Sequence, residues 1–217
     1  MKLKSFGCSF VYGTDLSDCV DNPSKLTWPA LLAQHRGLDY QCCAVGGTGN
    51  HKILNALAYE LIEPDWADSV YVIQWTWPDR FDYADPGTWL WQTIRPSQNS
   101  ATAEFYYRHL HSDYLDIISS LQYMYTAQQL LTSRGCEFVM TCLDPRIMTE
   151  DITGTVHNNA VLELYRNQIK NNLRWFDGQG FLAWSRNQGF EESESWHPLD
   201  RAHAAAAKYT IDHWAWT

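Results

Sequence analysis

Short apolar segments with strand character alternate with segments of helical periodicity along most of this chain. Strands are predicted at residues 3–6, 40–45, 69–75 and 137–143, with a short last strand at 181–184. Helices are predicted at residues 27–36, 51–62, 112–133, 159–173 and 198–214. This order is typical of an α/β fold with a parallel sheet covered on both faces. Because ligands bind beyond the carboxyl ends of such strands, functional residues are expected just after positions 6, 45, 75 and 143, and before the last helix.

Net charge, apolar runs and cysteine spacing exclude several kinds of partner and site. The 217 residues include 16 Lys and Arg against 25 Asp and Glu, a formal net charge of −9. Phosphate surfaces repel such a chain, so we expect no nucleic-acid partner and no membrane partner. No apolar run approaches the roughly 20 residues of a membrane span, and residues 1–6 are too short and polar for a secretory signal. The six cysteines show no zinc-ligand spacing. We therefore expect reduced thiols, a cytoplasmic protein and no metal or cofactor.

A serine follows the first predicted strand, in Gly7-Cys8-Ser9. A Ser at a tight turn beyond a strand presents its hydroxyl near free backbone N–H groups, which suits an acyl-transfer nucleophile. The spacing is not Gly-x-Ser-x-Gly, and a Ser that merely caps a turn is a common alternative.

A glycine-rich turn follows the second predicted strand. Gly46, Gly47 and Gly49 allow close backbone approach to a ligand at the start of a helix. The phosphate-loop pattern is absent. A plain strand-to-helix turn with Asn50 as N-cap is the alternative.

A histidine precedes the last predicted helix, in Glu194-Ser-Trp-His197-Pro198. Glu194 lies three residues before His197, so its carboxylate is expected to reach Nδ1 and leave Nε2 free as a base. The alternative is that Glu194 is a solvent-exposed acid and that His197 only stands at the helix N-terminus. Pro198 is expected as the first helical residue.

Aromatic residues are concentrated where the third predicted strand ends. The insert at about 77–111 contains three Trp, three Tyr and two Phe. We assign Trp75, Trp77, Arg80 and Trp196 to substrate binding, because flat apolar rings with polar rims suit a sugar ring or an acyl chain. The alternatives are a lid packed on the sheet and a self-association surface. Arg80 also has the simpler interpretation of a surface charge paired with a neighbouring aspartate.

In their order along the chain these motifs resemble those of the SGNH (GDSL-type) hydrolases. The amino-acid sequences of the motifs resemble those of a subgroup associated with bacteriophage genomes. The resemblance implies a flavodoxin-like three-layer sandwich, with residues 1–217 as one domain. It implies Ser9 as nucleophile, His197 as base and Glu194 in place of the usual aspartate. It also implies an oxyanion glycine at Gly47, with Gly46 the alternative. The usual Gly-x-Asn-Asp block is replaced by Trp75-Thr76-Trp77-Pro78, so Thr76 or Asn50 is expected as the third oxyanion donor.

Three functions are consistent with these residues. The first is a serine esterase that hydrolyses a carbohydrate O-acyl (acetyl) ester or another small ester. The second is a non-catalytic glycan-binding or virion-associated module on the same fold, which the missing Asn block and the aromatic excess favour. The third is a sugar O-acyltransferase, which uses the same triad but excludes water. The sequence does not determine the oligomeric state.

Overall fold

A five-stranded parallel sheet forms the centre of the protein. The computed structural model describes residues 1–150 and 156–214. The sheet strands are β1 (Lys2–Phe6), β2 (Asp39–Cys42), β3 (Ser69–Trp75), β6 (Glu137–Cys142) and β7 (Leu173–Arg174). Their order is β2-β1-β3-β6-β7, and every neighbouring pair is parallel. This is the order of a flavodoxin-like sheet, with the reversal of strand order beside β1. The carboxyl ends of β1 and β3 therefore open onto the same edge.

Helices cover both faces of the sheet. They are α1 (Ser9–Tyr12), α2 (Trp28–His35), α3 (Asn50–Glu60), α4 (Ala101–His109), α5 (Asp113–Ser133), α6 (Arg146–Thr149), α7 (Val156–Ile169), α8 (Phe181–Asn187) and α9 (Asp200–His213). One core, with Leu57 and Leu121, lies between the sheet and the helices α3 and α5. The other, with Leu32 and Ala206, lies between the sheet and the helices α2 and α9. The prediction of a three-layer α/β sandwich is thus confirmed.

Near the end of the chain, one predicted element is wrong and the start of another differs by two residues. Residues 181–184 are the start of α8, and the last strand is the two-residue β7. Phe181 and Trp184 lie three residues apart on one face of α8 and both pack into the core, so their spacing is helical rather than alternating. The last helix begins at Asp200, not at Pro198.

The aromatic insert contains a two-stranded antiparallel hairpin, β4 (Phe81–Ala84) and β5 (Trp91–Ile94), followed by α4. Phe81 stacks on Tyr106 of α4 with ring centroids 4.0 Å apart, which joins the hairpin to that helix. Asp82 ties the hairpin to the body of the protein. Its carboxylate accepts hydrogen bonds from the backbone N–H groups of Gly49 at 3.1 Å and Lys52 at 2.9 Å, and thereby caps α3.

The described residues 1–150 and 156–214 contain no helix that is both long enough and apolar enough to cross a membrane.

Candidate active site

Ser9 is the first residue of α1, directly beyond the end of β1. The turn leaves no room for a side chain at Gly7, where an added Cβ would lie 2.6 Å from Cγ2 of Val11 and 3.0 Å from the backbone carbonyl oxygen of Gln74 on β3. Only glycine allows this approach. The chain therefore turns at the carboxyl edge of the sheet and places the Ser9 side chain there. Ser9 is only 7% exposed, so its surroundings within the protein decide its chemistry.

The structure brings Ser9 and His197 together from distant parts of the chain. Nε2 of His197 is 2.8 Å from Oγ of Ser9. The edge of Phe10 packs against the imidazole, with ring centroids 5.1 Å apart, and fixes its plane from one side. This geometry allows the imidazole to take the proton of the Ser9 hydroxyl.

The carboxylate at the other imidazole nitrogen belongs to Asp15. Its Oδ2 is 2.8 Å from Nδ1 of His197. Asp15 follows α1 in a loop that begins at Gly13, and it has a φ of 71°, a left-handed conformation that Asp tolerates better than most residues. Ser17 in the same loop donates a hydrogen bond from its backbone N–H to Asp200 at the start of α9. The loop is thus tied to the helix that follows His197.

The prediction that Glu194 contacts His197 is wrong. Glu194 is exposed, and no residue within the described part of the chain is bonded to its carboxylate. The backbone N–H of Ser193 donates to the carbonyl of His197 at 2.9 Å, which closes a tight turn over residues 193–197. In this turn Ser193, Ser195 and His197 all reach Asp15, whereas Glu194 and Trp196 alternate with them and face outward.

Asp15 was missed because no local spacing connects it to His197, 182 residues away. Two signals were available in the sequence. The first is that Asp15 stands only six residues after Ser9, in a loop that begins at the same sheet edge. The second is the alternation of Ser193, Ser195 and His197, which places two hydroxyls on the same side as the imidazole.

Hydrogen bonds stabilise the ionised form of the Asp15 carboxyl group. The hydroxyls of Ser195 and Ser193 donate to its Oδ2, the second at 2.7 Å, and with His197 they lower the pKa of the Asp15 carboxyl to about 2. Asp15 is therefore ionised throughout the neutral range, as an imidazole-orienting carboxylate needs to be.

A second histidine lies in the core near the site. His203 on α9 is buried, and its Nδ1 accepts a hydrogen bond from the backbone N–H of Trp28 at 3.1 Å. Burial lowers the pKa of His203 to about 3. This imidazole is therefore neutral and its role is structural; the ring of His197, by comparison, is partly exposed.

The predicted oxyanion residues occupy different environments. The side-chain amide of Asn50 donates to the carbonyl of Thr76 at 3.3 Å and to Oγ of Ser120 at 3.0 Å, while its Oδ1 accepts the Thr76 N–H at 2.8 Å. Both amide hydrogens are thus engaged, so the prediction of Asn50 as an oxyanion donor is wrong. Oγ1 of Thr76 is buried and has no partner among the residues described. Gly47 lies in a turn with a φ of 74°, and no described residue accepts a hydrogen bond from its N–H.

The residues predicted for substrate binding divide into core and surface. Trp75 is fully buried in the core beside α3 and α5, so its assignment to a substrate surface is wrong. The cause is that β3 lies at the centre of the sheet, where both faces are covered. Trp77 packs edge-on against Phe10 with centroids 5.5 Å apart, and the Arg80 guanidinium lies 4.8 Å from the centre of the Trp77 ring. Arg80 also donates to the carbonyl of Thr48 at 2.9 Å, and so connects the loops after β2 and β3.

Trp196 lies beside the candidate base and is 65% exposed, with a φ of 70° and the Arg186 guanidinium 5.2 Å from its ring centre.

Two open clefts lie close to the site. One, of about 340 Å³, lies behind Asp15 and is lined in part by Phe190 and Arg201. The other, of about 410 Å³, lies between Trp77 and α8.

No protein-family model matches this chain, and no curated protein matches it in sequence. Solved structures do match it in fold. TesA is similar with a TM-score of 0.54 and 16% identity over 98% of this chain and 97% of its own. A putative lipolytic protein of the G-D-S-L family from Desulfitobacterium hafniense is similar with a TM-score of 0.53 and 12% identity, and the match covers 97% of this chain and 98% of that protein. A carbohydrate esterase family 2 enzyme with a carbohydrate-binding domain, from Corynascus, is similar with a TM-score of 0.53 and 14% identity, and the match covers 97% of this chain and 64% of that protein. The chain therefore has the α/β fold of the SGNH hydrolases.

Proposed function

We propose that this protein is a serine ester hydrolase of the SGNH type that acts on a carbohydrate O-acyl ester, such as an acetyl ester, or on another small ester. The observation that carries the proposal is the continuous series of contacts from Ser9 through His197 to Asp15, with 2.8 Å at each step. A hydroxyl, an imidazole and a carboxylate in this order are the groups that acyl transfer requires.

The reaction follows from these positions. His197 Nε2 takes the hydroxyl proton as Ser9 Oγ attacks the ester carbonyl, and the same imidazole then protonates the leaving alcohol. Asp15, in the role predicted for Glu194, holds the proton on Nδ1 and stabilises the imidazolium. Water, activated by His197, then attacks the acyl-enzyme and releases the acid and Ser9.

The oxyanion of each tetrahedral intermediate is assigned to the backbone N–H groups of Ser9 and Gly47. Ser9 begins a helix, so its N–H has no intrahelical acceptor. The buried Thr76 hydroxyl is the remaining side-chain donor that we propose, because it lacks a partner in the part of the chain described. One oxyanion donor is worth about 3–4 kcal/mol of barrier, so a site with a weak third donor predicts slow turnover.

Substrate recognition is assigned to Trp77, Arg80 and Trp196. Trp77 and Trp196 each have an arginine against one ring face. A ring face next to hydrogen-bond donors suits a sugar, whose C–H faces pack on aromatics while its hydroxyls need polar partners. The carbohydrate esterase among the similar structures is consistent with this substrate class.

The test compares the wild type with Ser9→Ala, using Ser133→Ala on the exposed side of α5 as the matched control. We expect fluorophosphonate labelling and p-nitrophenyl acetate hydrolysis in the wild type and in Ser133→Ala, and neither in Ser9→Ala. Equal labelling and turnover in Ser9→Ala would refute the proposal. A panel of acetylated glycans then identifies the substrate class.

The second candidate is a glycan-binding or virion-associated module without turnover. It is favoured by Trp89, which is 80% exposed at the tip of the β4–β5 hairpin. Glycan binding that Ser9→Ala retains, without wild-type turnover on the panel, would favour this module. A sugar O-acyltransferase would instead pass the acyl group to an added acceptor sugar, which product analysis distinguishes from hydrolysis.

A further inference from the structure

The carboxylate beside His197 is held by two hydroxyl groups that belong to the same turn as the histidine. Oγ of Ser193 donates to Oδ2 of Asp15 at 2.7 Å, and Oγ of Ser195 donates to the same oxygen at a shorter distance. We call Ser193 and Ser195 together the serine pair. The Ser195 hydroxyl oxygen is also 2.8 Å from Nδ1 of His197, and the Ser193 hydroxyl accepts the His197 backbone N–H at 3.1 Å.

We propose that the serine pair consists of positioning residues, which hold Oδ2 of Asp15 at Nδ1 of His197 and so orient the base of the ester hydrolysis proposed above. The inference rests on that function for its kinetic consequences, but its geometry stands independently of any substrate.

The distribution of contacts on Asp15 supports this assignment. All the hydrogen bonds that its side chain makes to described residues fall on Oδ2, which faces the imidazole. A carboxylate on a loop, with a side chain 35% exposed, would otherwise exchange its two oxygens and turn toward water. Two hydroxyl donors on a single oxygen oppose that rotation, and hydrogen bonds to an ionised acceptor are the strong kind.

The alternation of side chains in the turn explains why this arrangement needs serines at two positions. Residues 193, 195 and 197 face Asp15, and residues 194 and 196 face solvent. The base and both hydroxyls therefore belong to one rigid unit, closed by the bond from the Ser193 N–H to the His197 carbonyl. Because three side chains of this unit contact Oδ2 of Asp15, the unit fixes Asp15 and His197 relative to each other.

The test measures kcat and KM on p-nitrophenyl acetate for Ser193→Ala, Ser195→Ala and the double variant, with Glu194→Gln as the matched control in the same turn. We expect kcat to fall about 5-fold in each single variant and about 30-fold in the double variant, with KM within about twofold and an unchanged melting temperature. Glu194→Gln is expected to keep its kcat. Ser195→Thr, which retains the hydroxyl at an exposed position, should recover most of the loss.

A double-mutant cycle separates positioning from a general effect on the structure. If the serine pair acts through Asp15, its removal from Asp15→Asn should change kcat by less than about twofold, because the group that it positions has already been replaced. Losses that multiply in the Asp15→Asn background, or an unchanged kcat in the double variant, would overturn the proposal. If the double variant does not fold, the single variants and Ser195→Thr decide the question by the same criteria.

A spectroscopic measurement distinguishes failure of this inference from failure of the proposed function. The NMR resonance of the proton on Nδ1 of His197 reports its hydrogen bond to the carboxylate. We expect it to move upfield in the double variant and in Asp15→Asn but not in Glu194→Gln. If the resonance moves in this way but the protein shows no turnover, the positioning role of the serine pair is supported and the proposed esterase function is refuted. If the enzyme is active but the resonance does not move in the double variant, the positioning role of the serine pair is refuted and the esterase proposal is retained.

Discussion

The replacement of Asp15 by Asn tests which carboxylate serves His197. The substitution keeps the size of the side chain but removes a negative charge whose oxygen is 2.8 Å from Nδ1. When His197 takes the Ser9 proton it becomes a cation. Two unit charges about 4 Å apart attract by about 4 kcal/mol at an effective dielectric constant of about 20. That energy corresponds to about 10³ in rate. Because the Asp15 side chain is 35% exposed, solvent screening reduces the effect, and we expect kcat to fall by about 10²–10³.

Glu194→Gln is the matched comparison, since it neutralises the acid predicted from the sequence. Glu194 is exposed and has no contact with the imidazole, so kcat should stay within about twofold of the wild type. Hydrolysis of p-nitrophenyl acetate at saturating substrate measures both variants, and thermal melting confirms that each is folded. A tenfold loss in Glu194→Gln, together with near-normal activity in Asp15→Asn, would refute the assignment of the carboxylate.

Further expectations concern stability, measured by urea unfolding. Burial keeps His203 neutral in the native state well below about pH 6.5, where an unfolded His binds a proton. Acidification below this pH should therefore lower the contribution of His203 to the free energy of unfolding, by up to about 1.4 kcal/mol per pH unit, and His203→Gln should remove this contribution. Asp82→Ala removes both bonds to the first turn of α3, at 3.1 and 2.9 Å, and should cost about 2 kcal/mol; an unchanged midpoint would contradict the capping role. Gly180→Ala would place a Cβ 2.0 Å from the Leu143 carbonyl oxygen and should cost at least about 3 kcal/mol, while Gly46→Ala, whose Cβ has no neighbour closer than 4.0 Å, should be nearly neutral.

The sheet and its ligand-binding edge could be predicted because their signals are local. The buried run of β3 and the helical stripe of α5 each appear within one segment, and β3 is found at the predicted residues 69–75. Phe181 and Trp184 were misassigned because a segment of four apolar residues is compatible with a strand or with one helical turn. The same ambiguity affected Trp75, since an aromatic at a strand end can lie in the core or at the ligand edge.

The candidate site was predictable only in part, for a different reason. Ser9 and His197 each stand at a recognisable boundary of an element, so their positions at the sheet edge follow from the order of strands and helices. The contact of Asp15 with His197 is non-local, and a sequence shows it only through the folded loop. Glu194 was the expected partner because it is near in sequence, but the alternation of side chains in the turn over residues 193–197 directs it to the opposite side from His197.

The division of the site between residues 9–15 and residues 193–197 also has a consequence for the protein during its synthesis. Ser9 and His197 are separated by 188 positions. At about 5–20 residues per second, the ribosome needs roughly 10 to 40 s to add the histidine after the serine. Throughout this time the nascent polypeptide carries a hydroxyl with no base beside it. If Ser9 and His197 act as proposed, reactivity toward esters begins only when the distal segment has emerged and docked, and we expect a stalled or prematurely terminated translation product to be inert.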